Sequence, residues 1–255
     1  MHDAFVRLAE RLADAAAAMI EAGGANSTSI KPDKSFVTEL DLAIEARLRE
    51  MIAADHPDHG ILGEEFAATR PKAEHVWVLD PIDGTAAFVA GMPVYGTLIA
   101  LARNGEPIVG VIHFPATCER WVGAKGRTTV LNGQPCHTRS GATLADAIMS
   151  ASNPDFFGPE EKPVLAALSA ATAWRIYGGA ALSYGRLASG RTDLALDAGL
   201  KIHDYAAFVP IIEGAGGMIT DWQGRPLTLD SGPHVLAAGD ARRHAAALDL
   251  IRETA

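Results

Sequence analysis

The amino-acid sequence predicts an α+β half followed by an α/β half. Three observations predict it: two helical periodicities open the chain, short apolar runs follow from residue 60, and strands alternate with helices from residue 147. We expect the N-terminal half to span residues 1–145 and the C-terminal half to span residues 146–255. The functional site should lie between the two halves.

Two amphipathic helices are predicted near the start of the chain. Apolar side chains recur at helical spacing from Phe5 to Met19, and Gly23-Gly24 then ends the first helix. The second helix begins in the string TELD at 38–41, which has the form of a capping box, and ends at His56-Pro57.

The stretch from residue 60 predicts a largely antiparallel sheet that packs on these two helices. Asn104-Gly105 and Asn132-Gly133 each separate two apolar runs, which is a strong local signal for a β-hairpin. The predicted strands are residues 61–62, 76–79, 97–102, 107–114, 120–123 and 128–131.

The second half alternates strands with helices, which is typical of an α/β arrangement around a mixed sheet. Its predicted strands are residues 147–151, 174–177, 192–196, 218–222 and 235–238. Its predicted helices are residues 160–171, 181–189, 205–214 and 241–252.

Composition excludes several classes of protein. The 255 residues are 48% hydrophobic and 21% charged, as in a folded globular protein, and the formal charge of −9 argues against a nucleic-acid-binding surface. Two cysteines are too few for a disulfide-built scaffold, so a reducing cytoplasm fits best. Charges interrupt the first apolar helix, so we expect neither a signal peptide nor a membrane span.

The most informative stretch is the apolar strand that ends in Asp80-Pro81-Ile82-Asp83-Gly84-Thr85. Pro81 and Gly84 predict a turn that brings two carboxylates and one hydroxyl into a small volume. Glu64-Glu65 closes an earlier short strand, and Asp204 precedes an apolar helix far downstream. Each of these pieces, taken alone, also fits an ordinary turn or helix cap.

Taken together, these acidic residues predict a metal site. Four or five carboxylates at the ends of apolar strands and helices would repel one another unless a cation binds them. Ligands that are all oxygen atoms select a hard ion such as Mg²⁺.

Four strings in the chain resemble the signatures of the inositol monophosphatase superfamily of magnesium-dependent, lithium-sensitive phosphomonoesterases. They are GEEF at 63–66, DPIDGT at 80–85, GLKIHDYAA at 199–207 and EGAGGMITDWQG at 213–224. The resemblance covers nearly the whole chain and implies the layered α/β/α/β/α sandwich of the inositol monophosphatase and fructose-1,6-bisphosphatase type. His203 stands where the superfamily usually has Trp.

The histidinol-phosphatase branch looks most similar, on the strings GTLIAL at 96–101, ERWVGA at 119–124, LNG at 131–133 and residues 200–227. Two positions depart from that branch. Ala180 stands where it commonly has an acidic residue, and Asp197 stands where the superfamily usually has Glu.

The resemblance implies two or three Mg²⁺ ions per site. Glu64, Asp80 and the Ile82 carbonyl would hold one ion, and Asp80, Asp83 and Asp204 would hold a second. Glu64 would also reach a third, weakly held ion.

The resemblance also implies how phosphate and water are bound. Gly84 and Thr85 would present backbone N–H groups to the phosphate at the start of a helix, where the helix dipole favours an anion. Thr85, paired with Asp41, would orient the attacking water with help from Glu64. Asp41 has a second interpretation as part of the capping box, and both roles are compatible because a cap fixes the backbone that aims its side chain.

Contacts to the remainder of the substrate are the least specific part of the prediction. We expect the substrate pocket to include Asp83, Asp197, Glu213 and the position of Ala180. Two further residues could contribute, Lys31 from a polar loop, which could equally be a solvated surface lysine, and Glu65 from beside the site.

The predicted function is Mg²⁺-dependent hydrolysis of a small phosphate monoester, with L-histidinol phosphate, an intermediate of histidine biosynthesis, as the preferred substrate. The alternatives are an inositol-1-phosphate or broader sugar-phosphate phosphatase, and, from another class, a non-catalytic regulator that binds a phosphometabolite. The resemblance implies a homodimer, and we expect neither nucleic acid nor a membrane as a partner.

Overall fold

The computed structural model describes residues 2–23, 28–30 and 36–254. Lys31, one of the predicted contributors to the site, lies outside the described residues. The α-helices of the described chain are α1 (His2–Ala22), α2 (Glu39–Asp55), α3 (Thr85–Val89), α4 (Lys162–Ala171), α5 (Leu182–Ala188), α6 (Ile202–Tyr205), α7 (Phe208–Gly214) and α8 (Ala241–Thr254).

The strands form two large sheets and one short ribbon. The ribbon pairs β1 (Thr28–Ile30) with β2 (Phe36–Thr38). The first large sheet contains β3 (Gly60–Gly63), β4 (His75–Asp83), β5 (Gly96–Arg103), β6 (Glu106–Phe114), β7 (Glu119–Ala124), β8 (Val130–Leu131) and β9 (Gln134–Pro135). The second contains β10 (Ile148–Ala151), β11 (Trp174–Tyr177), β12 (Leu194–Asp197), β13 (Met218–Thr220) and β14 (Val235–Ala238).

The two N-terminal helices begin and end as the sequence predicts. The Gly23 N–H donates to the Met19 carbonyl at 3.0 Å and closes α1. A capping box opens α2: the Asp41 N–H donates to Thr38 Oγ1 at 3.3 Å, and the Thr38 N–H donates to Asp41 Oδ2 at 2.8 Å. The cap satisfies backbone donors that the first turn of a helix leaves unpaired.

The seven-stranded sheet has the strand order of the sequence, from β3 to β9. Both predicted Asn-Gly hairpins are confirmed, with the φ of Asn104 at 50° and that of Gly105 at 82°. One pair departs from the antiparallel pattern, because β3 runs parallel to β4 with Gly63 beside Leu79. The carboxyl ends of these two strands therefore meet at the same edge, where Glu64 follows β3 and Asp80 lies in the last part of β4.

The five-stranded sheet is mixed and has the order β11-β10-β12-β14-β13. β10 pairs in parallel with β11 and β12, whereas β14 pairs antiparallel with β12 and β13. The parallel pairs are connected through α4 and α5, as the predicted alternation of strands and helices requires.

The layers follow from three apolar cores, so the predicted α/β/α/β/α sandwich is confirmed. Helices α1 and α2 bury Leu8, Leu12 and Leu48 against one face of the large sheet. Helices α5 to α7 fill the space between the two sheets, and α4 and α8 cover the outer face of the five-stranded sheet. No helix of the described residues combines the length and the apolar run that crossing a bilayer requires.

One predicted helix is wrong in its extent. The segment predicted as a single helix from 205 to 214 consists of α6 and α7, and Asp204 lies inside α6 rather than before it. Pro210 has no N–H to donate to the Ala206 carbonyl, which prevents one continuous hydrogen-bonded helix across this segment.

Helix α7 lies against the large sheet at a pair of glycines that face each other across β6 and β7. A Cβ on Gly110 would lie 2.2 Å from the Ala207 carbonyl oxygen, and one on Gly123 would lie 2.5 Å from the Pro210 carbonyl oxygen. Only glycine permits this approach of a helix backbone to a strand.

Candidate metal and phosphate site

A bulge in β4 places two carboxylates on the same side of the strand. In a regular strand, side chains three residues apart point to opposite faces. Asp80 pairs with Leu98 and Asp83 pairs with Gly96, so two residues of β4 lie opposite the single residue Thr97. Pro81, which lacks an N–H, occupies the bulge. The bulge therefore turns Asp80 and Asp83 toward a common point.

Asp204 completes a triad of carboxylates from the other half of the chain. Helix α6 begins after Lys201, whose N–H donates to Asp204 Oδ2 at 2.6 Å. Carboxylate oxygens of Asp80, Asp83 and Asp204 all lie within 4.8 Å of one another. The neighbouring His203 is buried, with Nε2 at 3.7 Å from Asp204 Oδ1.

Burial and mutual repulsion raise the pKa of every carboxyl in this triad. Burial, with added repulsion from Glu64, raises the pKa of Asp83 to about 7, although the Ala181 N–H donates to its Oδ2 at 2.8 Å. Burial also raises the pKa of Asp204 to about 6. The pKa of Asp80 lies well above its usual range because the group is buried and surrounded by Glu64, Asp83 and Asp204.

The donor set fits a hard divalent cation. Asp80 Oδ1 is buried without a hydrogen-bond partner, an arrangement that is costly unless another group satisfies its lone pairs. All three side chains of the triad offer oxygen only, which is the ligand type that Mg²⁺ prefers. A bound cation would also remove the repulsion that raises these pKa values.

Glu64 follows β3 and faces the triad from the neighbouring strand. Its charge raises the pKa of Asp80 and of Asp41, so its carboxylate lies close to both. Its oxygens are not part of the triad that lies within 4.8 Å. Glu65, the next residue, is half-buried and donates its N–H to Glu45 Oε2 at 2.8 Å.

The structure shows no direct hydrogen bond between Thr85 and Asp41, whose joint role at the attacking water stays a prediction. Thr85 Oγ1 instead donates to the Ile82 carbonyl at 3.0 Å, and Asp41 Oδ2 accepts from the Thr38 N–H and hydroxyl at 2.8 and 2.5 Å. The capping box thus engages one of the two carboxylate oxygens of Asp41. Burial nevertheless raises the pKa of Asp41, and the charge of Glu64 raises it further.

Gly84 and Thr85, the predicted phosphate-binding residues, open helix α3. Gly84 is the N-cap of α3 with φ at 78°, and α3 begins with Thr85. The backbone N–H groups at this turn follow directly on Asp83 of the triad. The carbonyl of buried Ile82, which accepts from Thr85, has a second lone pair that could bind a cation.

Asp197 is not positioned to touch a substrate. Its side chain is 0% exposed, its Oδ1 accepts from the Ser152 N–H at 2.7 Å, and its Oδ2 accepts from the Tyr184 hydroxyl at 2.8 Å. Burial raises the pKa of Asp197 to about 6. Ala180, by contrast, is half-buried with φ at 44° and precedes the Ala181 N–H that binds Asp83.

Glu213 was predicted in the substrate pocket, and the structure corrects this. Its charged neighbours are Lys125 and Glu106. Glu106 pairs with Arg103 at one end of β5, whereas Asp80 pairs with Leu98 near the other end. The five residues from Leu98 to Arg103 correspond to roughly 17 Å of extended strand. Proximity in sequence to Asp204 is misleading here because α7 carries the chain away from the site.

Sequence reasoning missed Glu45, a fully buried residue on α2 that binds the turn around Glu64. A signal was available. Asp41 and Glu45 lie four residues apart and share the buried face of α2 with Ile44 and Leu48. An acidic residue on an otherwise apolar helix face indicates a specific partner.

Comparison with known proteins agrees with this geometry. The family model described as "Inositol monophosphatase family" matches residues 2–254. The bifunctional phosphatase IMPL2, chloroplastic, of Arabidopsis thaliana is 40% identical over 98% of this chain and 75% of its own length. A histidinol-phosphatase of Mycobacterium tuberculosis is 35% identical over 80% of this chain and 79% of its own.

Among solved structures, an inositol monophosphatase from Zymomonas mobilis superposes with a TM-score of 0.91 at 39% identity and covers 99% of both chains. The match extends over both sheets and over every element that supplies a carboxylate to the triad. The chain therefore belongs to the inositol monophosphatase family of phosphatases.

Proposed function

We propose that this phosphatase hydrolyses a small phosphate monoester and depends on bound Mg²⁺. The observation that supports the metal is the convergence of Asp80, Asp83 and Asp204, together with the buried, unpartnered Asp80 Oδ1. These residues, with Glu64 and the Ile82 carbonyl, would hold two ions, and Glu64 would reach a third. When bound, Mg²⁺ supplies neutralisation of the phosphate charge and Lewis acidity toward the attacking water and the departing oxygen.

The protein's own groups position the phosphate and the water. The Gly84 and Thr85 N–H groups would bind phosphate oxygens beside Asp83, whose orientation is fixed by the Ala181 N–H at 2.8 Å. Asp41 and Glu64 would accept hydrogen bonds from the attacking water, because the two carboxylates are near enough for the charge of Glu64 to raise the pKa of Asp41. The Thr85 hydroxyl would also help to orient this water once it no longer donates to the Ile82 carbonyl.

Within this class we propose L-histidinol phosphate as the main substrate and inositol 1-phosphate as the second candidate. Sequence identity to a histidinol-phosphatase supports the first. The second is supported by Ala180, whose methyl group offers no charge to an ammonium group, and by similarity to an inositol monophosphatase structure. The buried Asp197 carboxylate accepts from Ser152 and Tyr184, and Glu213 lies beside Lys125 and Glu106, so an ammonium group would have to approach Glu64 or Glu65.

Phosphate release tests the class and the substrate together. With excess Mg²⁺ the protein should release phosphate from at least one of the two esters, and chelation should abolish this release until Mg²⁺ is restored. Undiminished release in excess chelator would refute the metal dependence, and no release at any Mg²⁺ concentration would favour a non-catalytic phosphometabolite-binding regulator. The ratio of kcat/KM on the two esters decides the substrate.

Oligomeric state and cellular location stay predictions from the sequence. We propose a homodimer in the cytoplasm, which sedimentation of the purified protein and fractionation of its native cells would test.

A further inference from the structure

Glu45 is a fully buried carboxylate with no place in the proposed chemistry. It lies on α2 one helical turn after Asp41, and its side chain is 0% exposed. A buried carboxylate destabilises a fold unless it is paired and hydrogen-bonded, and an apolar side chain of similar volume would serve packing at least as well. The contacts of Glu45 therefore need an explanation other than packing.

Those contacts hold the turn that carries Glu64. Glu45 Oε2 accepts from the Glu65 N–H at 2.8 Å, and Oε1 accepts from the Phe66 N–H at 3.3 Å. The carboxylate fills the space where Gly63 has no side chain, since a Cβ there would lie 1.9 Å from Glu45 Oε1. The backbone on both sides of Glu64 therefore contacts the Glu45 carboxylate, through Gly63 before it and through the Glu65 and Phe66 N–H groups after it.

Arg49 holds the same turn from the other side. Its Nε donates to Glu45 Oε1 at 2.7 Å, and its remaining nitrogens donate to the Phe66 carbonyl at 3.2 Å and to Thr69 Oγ1 at 3.3 Å. The guanidinium also lies 5.8 Å from the centre of the Phe66 ring. Glu45 and Arg49 together bind both N–H and C=O groups of the loop and neutralise each other's charge.

We infer that Glu45 is a positioning residue that fixes Glu64 at the metal site through the backbone of the turn. The inference rests on the proposed function, in which Glu64 holds metal and water together with Asp41. Because Asp41 and Glu45 share one rigid helix, the contact of Glu45 with the turn also sets the separation of Asp41 from Glu64. Groups that orient metal ligands change metal affinity or activity by about 10–100-fold when they are altered.

The test is Glu45→Gln, which keeps the volume but offers one acceptor oxygen where the carboxylate serves three donors. Its NH₂ group would face either the Glu65 N–H or the Arg49 side chain. We expect calorimetric titration with Mg²⁺ alone to give a dissociation constant at least tenfold higher than that of the wild type, and the Mg²⁺ requirement of turnover to rise in parallel. KM for the ester at saturating Mg²⁺ should change less than about threefold, because the phosphate-binding N–H groups lie at the start of α3 and not in the turn that Glu45 holds.

Glu50→Gln is the matched control on the same helix. Glu50 forms an exposed pair with Arg47 at 3.2 Å, so its variant should bind Mg²⁺ like the wild type. If Glu45→Gln folded and matched Glu50→Gln in Mg²⁺ affinity, the positioning role would be refuted. If Glu45→Gln failed to fold, Arg49→Met, which keeps the carboxylate and its two N–H donors, should still raise the dissociation constant severalfold, and wild-type affinity in that variant would overturn the inference.

The outcome also separates this inference from the proposed function. If the wild type released no phosphate but Glu45→Gln still weakened Mg²⁺ binding, the proposed function would be refuted and the positioning role retained. If the wild type released phosphate normally and Glu45→Gln left Mg²⁺ affinity unchanged, the positioning role would be refuted and the proposed function retained.

Discussion

Replacing Asp83 by Asn should impair catalysis while stabilising the metal-free fold. The amide keeps the size of the side chain, and its oxygen still accepts the Ala181 N–H, but the charge that repels Glu64 is gone. The protein loses a cation ligand and at the same time loses an unfavourable buried charge. Asp83→Asn should therefore stabilise the protein without Mg²⁺, and it should weaken the stabilisation that Mg²⁺ provides.

The pKa of Asp83 sets the magnitude and the pH range. Its rise from 3.8 to about 7 on folding means that the folded state binds protons more tightly than the unfolded state. The free energy of unfolding therefore falls as the pH rises from about 4 to about 7. At about 1.36 kcal/mol per pH unit, this fall in the free energy of unfolding is at most about 4 kcal/mol. Asp80 and Asp204 share the repulsion, so we expect Asp83→Asn to recover about 2 kcal/mol, or roughly 4–8 °C in Tm.

Thermal unfolding in excess chelator at pH 5 and pH 8 measures this gain. The advantage of Asp83→Asn over the wild type should be larger at pH 8, and Asp249→Asn, which alters an exposed carboxylate, should show no such dependence. Added Mg²⁺ should raise the Tm of the wild type more than that of Asp83→Asn, and turnover of the variant should fall at least about 100-fold. A metal-free Asp83→Asn that unfolds below the wild type at pH 8, or one with near-normal turnover, would refute the reasoning.

Three further substitutions test individual residues. Thr85→Ala should lower kcat about 10–100-fold and leave KM within about threefold, because the backbone N–H groups that bind phosphate remain; a change confined to KM would make Thr85 a phosphate ligand. Asp197→Asn should reduce kcat/KM on histidinol phosphate and inositol 1-phosphate by the same factor, since its carboxylate contacts Tyr184 and Ser152; a loss confined to the amine substrate would show direct contact. Glu213→Gln should leave kcat/KM on both esters within about twofold, because the side chain lies far from the triad, and a tenfold loss in steady-state assays would contradict that placement.

The local parts of the site could be predicted because local chemistry determines them. An apolar strand followed by Asp80-Pro81-Ile82-Asp83-Gly84-Thr85 permits few conformations, so the carboxylates of this turn could be assigned before the fold was known. The capping box at Thr38 and the Asn-Gly hairpins are of the same kind. Each depends on residues that are neighbours along the chain.

The parts that failed depend on tertiary contacts. The parallel pairing of β3 with β4 and the bulge opposite Thr97 are invisible to hydrophobic periodicity, yet they decide which carboxylates meet. Glu213 was misplaced because separation along the chain was used in place of the direction of α7. Glu45 was missed because its partners are backbone N–H groups twenty residues away.

The close approach of α7 to Gly110 and Gly123 makes the two halves of the chain a single mechanical unit. Helix α6 holds Asp204, and only Ala206 separates it from Ala207, whose carbonyl oxygen would lie 2.2 Å from a Cβ at position 110. Even one added methyl group would push the helix outward and move Asp204 away from Asp80, since close-packed interiors transmit strain. Consider a chimera that takes its C-terminal half from a relative. Its metal triad stays intact only if the relative's α7 backbone packs against Gly110 and Gly123 as closely as the native one does.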